Sequence, residues 1–166
     1  KKILGKHFAL NNKKDMLEIA EAVGQLPLAI NLIAQQMLKN NINTQDIIKE
    51  IKDRKIKLRD FIYENKDLYG AIEFSYKKLN KRLKKLFNSL SLFGGKDISQ
   101  EAISYINKLE IDETKFMLLN LLNNSLIEYS SINRYRLHPM IKSFLQSRVV
   151  NKTYYERAIN FYTVFL

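Results

Sequence analysis

Two prolines and five glycines are all that punctuate these 166 residues, and that scarcity directs the chain toward long helices rather than a β-sandwich. Pro27 sits where a first helical residue should, since its missing N–H and fixed φ are harmless there. Pro139 opens the last helix before the C-terminal segment. Hydrophobic residues make up 46% and aromatics 11%, enough for a buried core and against disorder. There is no cysteine, which excludes a disulfide framework, a thiolate zinc site and a thiol nucleophile. No run approaches the roughly 18 apolar residues that span a bilayer, and the N-terminus lacks a signal-peptide layout. A soluble cytoplasmic protein with no membrane partner is expected.

The formal net charge is +11, and basic surfaces attract nucleic acid and anionic membranes. Here the charge is spread. Residues 1–62 carry 12 basic against 7 acidic side chains, and residues 63–150 carry 14 against 9. The densest run, Lys77, Lys78, Lys81, Arg82, Lys84 and Lys85, crosses a helix boundary and reads as a solvated basic face.

Periodicity divides the chain in two. Met16, Leu17, Ala20 and Val23 recur at helical spacing, and Gly24 stops that helix. The next, Leu28 to about Lys39, is apolar nearly all round, as a central core helix would be. A third runs from about Thr44 to Arg54, and Lys52–Arg59 reads as a connection. Beyond it, Leu68, Ile72, Tyr76 and Leu79 mark one helix. Leu83, Leu86, Phe87, Leu90 and Phe93 mark another, ended by Gly94-Gly95. Ser99 caps a further helix, with Glu101 in its first turn and Ile98 and Ile103 at the staple positions. Asp112 is expected to cap the next, with Ile111 and Phe116 repeating the staple. Leu126–Ser130 and Arg134–Leu137 then form a short hairpin, followed by the helix from Pro139. Residues 153–166 open one more helix, rich in tyrosine and phenylalanine. Both ends read as cuts through a longer protein.

The expected fold is mainly α: a helical bundle subdomain at 1–62, then a winged-helix subdomain with a short β-hairpin at 63–150. The start of a C-terminal helical region follows at 151–166.

Two segments resemble a known family. Gly24-Gln25-Leu26-Pro27-Leu28-Ala29-Ile30 resembles the GLPLAL motif of NB-ARC ATPases, signalling proteins of the STAND class. Arg136-Leu137-His138-Pro139-Met140-Ile141 resembles the end of their winged helix, where Met-His-Asp or, in many bacterial members, Leu-His-Pro occurs. Between them, Ala71–Tyr76 and Leu86–Phe93 are similar to the two opening winged-helix segments. The matches follow the family's order over about residues 5–150.

The resemblance implies an ADP/ATP-binding regulatory element, an ARC1-like then an ARC2-like subdomain. Pro27 would pack near the adenine and His138 would contact the β-phosphate of ADP, with Gly24, Leu26 and Leu28 as weaker contacts. Pro139 stands where plant-type members carry aspartate, so any role of that carboxylate is absent. The partners implied are an upstream nucleotide-binding domain of the same chain, a homo-oligomer in the ATP state, and downstream helical repeats. No GxxxxGK(S/T) loop or acidic pair for magnesium occurs, so catalysis and Mg binding belong to the full-length parent, an expected ATPase. The chain itself has no catalytic residue and no metal site; His7 reads as a surface residue.

Two other functions use the same elements. A winged helix can bind duplex DNA, but Glu113–Asn124, in the recognition position, offers one lysine and is otherwise largely apolar, so it is expected to be mainly buried and specific DNA binding is not expected. Arg134 and Arg136 on the wing are the contrary feature. A non-catalytic protein-interaction scaffold is the second alternative, suited by the terminal Tyr/Phe helix.

Overall fold

A computed structural model describes residues 13–40, 43–50, 66–93, 97–148 and 150–164. The chain divides into two units, residues 1–78 and 79–166. The expected boundary at 62/63, the connection Lys52–Arg59, Gly94-Gly95 and His7 lie outside the described residues.

The described part of the first unit is all helical: α1 (Lys13–Ala22), α2 (Pro27–Asn40), α3 (44–50) and α4 (Lys66–Lys78). Helix α2 packs on α4. It buries Ala29, Leu32, Ile33 and Ala34, and α4 buries Ala71, Ile72 and Phe74. The expectation of an apolar central helix therefore holds for α2. Asn43 precedes α3 and reciprocates with Asp46: Asp46 N–H donates to Asn43 Oδ1 (2.9 Å) and Asn43 Nδ2 to Asp46 Oδ2 (2.5 Å). That cap satisfies an amide the helix itself leaves open, and it sets Ile47 and Ile48 inward.

The second unit runs α5 (Lys81–Ser89), a 3₁₀ turn (Leu90–Leu92), β1 (Ile98–Ser99), α6 (Gln100–Asn107), α7 (Ile111–Asn123), β2 (Glu128–Ser131), β3 (Arg134–Arg136), α8 (Pro139–Gln146) and α9 (Lys152–Val164). Three helices with a three-stranded antiparallel sheet of order β1-β3-β2 are the winged-helix-like part of a mainly helical chain. Asn80 caps α5 through Leu83 N–H (2.8 Å), and Ser99 caps α6 through Ala102 N–H (3.1 Å). Ile98 and Ile103 are both buried beside that cap, as a staple requires.

Four expectations are corrected. The hairpin gains a third strand, because Ile98 pairs with Tyr135 and Ser99 with Arg134; two residues are too few to show alternation. The first wing strand begins at Glu128, since Leu126 and Ile127 are both buried. Glu110, not Asp112, occupies the cap position of α7, and its side chain makes no capping bond. Helix α7 is buried on one face only. Thr114, Met117, Leu118 and Leu121 turn inward, while Phe116 is 67% exposed and Ile111 41%, so the second staple does not form.

Buried polar groups tie the wing to the helices. Gln100 accepts from the Tyr135 hydroxyl (3.3 Å) and donates to the Ile111 carbonyl (3.4 Å). Asn107 Nδ2 donates to Ser89 Oγ (2.9 Å), which joins α6 to α5. Helix α9 lies on α6: Arg157 Nη1 donates to the Ile106 carbonyl (2.8 Å) near the end of α6, where a cation also complements the helix dipole. The Tyr105 and Phe161 rings meet at 5.5 Å.

Candidate functional site

The residues singled out from the sequence lie in different units and are described within each. In the first unit, α1 ends in two consecutive left-handed residues, Gly24 (φ 65°) and Gln25 (φ 56°). Their amides return to the last turn, Gly24 N–H to the Glu21 carbonyl (3.1 Å) and Gln25 N–H to the Ala20 carbonyl (2.7 Å). Glycine adopts such a conformation without a Cβ penalty, whereas at Gln25 it is strained. The Leu26 carbonyl then accepts from Ile30 N–H (3.0 Å), opening α2.

Pro27 is the first residue of α2 and is exposed, as is Gly24; Leu26 and Leu28 are half-buried. A helix stop followed by a helix start thus accounts for the backbone. The same geometry leaves the proline ring open to an apolar surface such as the face of a base.

In the second unit, His138 sits at the N-cap of α8 and is half-buried. Its Nδ1 accepts from Met140 N–H (3.2 Å) and its carbonyl accepts from Lys142 N–H (3.0 Å). A ring nitrogen that accepts carries no proton, so the neutral imidazole bears its proton on Nε2 and donates only from there. Pro139 has no N–H, so the first turn presents few amides to an anion. One imidazole therefore divides its nitrogens: Nδ1 holds the helix start, and Nε2 is a donor suited to a phosphate oxygen.

The two wing arginines, expected to be the feature that favours DNA, have different surroundings. Arg136 Nε is paired with Glu128 Oε2 (2.9 Å), and Arg134 lines a separate cleft of about 1150 Å³ with Glu101, Tyr105, Glu110, Arg157 and Tyr162. That cleft escaped the sequence reading because its walls come from β3, α6, α7 and α9, with no local motif. Burial pushes the Tyr162 hydroxyl above its ordinary range, and nearby Arg134 opposes the shift. Among the described residues no group of three or more His, Asp or Glu is placed to hold a metal, and no helix is long and apolar enough to cross a membrane.

No protein-family model matches the chain. It is 25% identical over 147 residues to a regulatory protein, AfsR, of Streptomyces coelicolor, and 24% identical over 147 residues to the AfsR regulatory protein of Streptomyces griseus. Each alignment covers 88% of this chain and 15% of the relative, so the chain spans about a seventh of the length of the curated relatives it resembles.

Proposed function

We propose that this chain is the regulatory half of a nucleotide-dependent signalling switch, contacting ADP or ATP held by a nucleotide-binding domain elsewhere in the same protein. The observation that carries the reading is the division of labour at His138. Its Nδ1 is committed to Met140 N–H, which fixes the ring and directs the remaining proton to Nε2. A bound nucleotide supplies the anionic oxygens for that donor. A contact made in one nucleotide state only biases the balance between closed and open forms. Magnesium, phosphate cradling and ATP hydrolysis belong to the other domain, and this segment has no activity alone. Similarity to bacterial regulatory proteins supports the regulatory part of the reading.

Two substitutions in the full-length parent test it. Asparagine at an N-cap accepts from the helix amides as well as any residue, so His138→Asn keeps the cap and removes the Nε2 donor; His138→Ala removes both. A charge-assisted hydrogen bond is worth about 1.5–3 kcal/mol. Both variants should therefore release ADP faster by roughly one to two powers of ten, and only alanine should lower stability, by about 0.5–2 kcal/mol. Unchanged ADP release in both, with reduced stability in the alanine variant alone, would leave His138 as a cap and overturn the reading.

The exposed face of α7 favours this reading over a DNA reader. Phe116 and Leu119 project from it, and its first turn carries Asp112 and Glu113, which repel phosphate; base edges are read by Arg, Lys, Asn and Gln.

A further inference from the structure

On α7 the outward residues Asp112, Phe116, Leu119 and Asn123 follow one another at helical spacing, with Phe116 67% and Leu119 37% exposed. Single exposed hydrophobics are ordinary on a protein surface, but two large ones a turn apart on one helix form a ridge that a second helix can cover. The ridge has a charged border. Arg82 of α5 is ion-paired to Glu113, one turn before Phe116, and so brings the outer edge of α5 alongside. That edge exposes Lys81, Arg82 and Lys85, while Leu83, Leu86 and Phe87 of the same helix are buried. The ion pair thus links the helix that carries the apolar ridge to the helix that carries the exposed lysines.

We propose that this face docks an acidic amphipathic helix of a partner protein, its apolar stripe on Phe116 and Leu119 and its carboxylates over Lys81 and Lys85. Charge complementarity selects that occupant. A second copy would itself carry a net charge of +11, and like charges disfavour the pairing. Duplex DNA would meet the lysines but would leave the apolar ridge unmatched. The surface lies apart from His138 and Pro27 in function, and no nucleotide enters its test.

The test titrates the 166-residue chain into fluorescein-labelled peptides of about 18 residues, followed by anisotropy at about 0.15 M salt. One peptide carries leucines at helical spacing flanked by glutamates, the second has each glutamate replaced by lysine, and the third scrambles the first so that no stripe remains. The acidic amphipathic peptide should bind at least about tenfold more tightly than either control. The double variant Phe116→Ser/Leu119→Ser should lose about tenfold in affinity, as should Lys81→Glu/Lys85→Glu. Circular dichroism should show both variants folded as the parent, because these four side chains are exposed. Equal binding of the three peptides, absence of binding, or binding indifferent to the Phe116/Leu119 change would overturn the proposal. Sedimentation showing self-association that Phe116→Ser abolishes would assign the face to a second copy. Duplex DNA binding lost on the lysine change and untouched by the Phe116/Leu119 change, with no peptide bound, would assign it to nucleic acid.

Discussion

Tyr135 shows how one side chain joins a strand, a helix and a protonation equilibrium. Its ring is buried in β3, its hydroxyl donates to Gln100 Oε1, and its backbone sits opposite Ile98. Burial, with smaller contributions from Tyr129 and Glu101, raises its ionisation above the ordinary 10.0. The folded state thus holds this proton more tightly than the unfolded chain does. The stability it contributes is complete below pH about 10 and is lost as the pH rises through the raised folded value. Urea melts at pH about 8 and about 10.5 should show lower stability at the higher pH. Tyr135→Phe should reduce that difference while costing about 1–3 kcal/mol at neutral pH, because Gln100 loses a buried donor. His138 was marked from the sequence by its resemblance to the family's winged-helix motif, and its place before Pro139 suits a helix cap. Only the tertiary structure decides which nitrogen caps, because the choice depends on where Met140 N–H points.

Among the elements, α7 separates what periodicity predicts from what packing selects. Its run Phe116, Met117, Leu118, Leu119 is apolar around most of the helix, so the sequence pointed to a mainly buried helix with Phe116 in a staple. The structure turns Leu118 and Leu121 inward and leaves Phe116 outside. Leu118→Ala should therefore cost about 2–5 kcal/mol by opening a cavity, whereas Phe116→Ala should stay within about 0.5 kcal/mol; thermal melts of the two variants check the assignment. Helix α6 was more legible, since Ser99 as cap with Ile98 and Ile103 flanking it is a local signature. Ser99→Ala should cost about 1 kcal/mol, seen in the same melts. Strand β1 was not legible. Its two residues become a strand only because β3 supplies backbone partners from more than thirty positions away.

For the molecule as a whole, the net charge of +11 and the absence of a phosphate-binding loop set what the isolated chain can do. ADP and ATP should bind it weakly or not at all, because lone side chains supply little affinity without a backbone cradle. Calorimetry at about millimolar nucleotide checks this, and affinity in the low micromolar range would reveal a pocket contained in this chain. Duplex DNA should bind through charge alone, without sequence preference, and should dissociate as salt is raised toward about 0.2 M; footprinting on defined sites across that range measures it.

By itself the sequence determined the helical character, the places where α2 and α8 begin, and the order of helices and wing, because each follows from neighbours within a few turns. Only the tertiary structure decided which face of α7 is buried, that β1 joins the wing, that Arg136 pairs with Glu128, and that β3, α6, α7 and α9 line a cleft. Those outcomes depend on contacts between residues distant in the chain, whose geometry no local pattern of residues encodes.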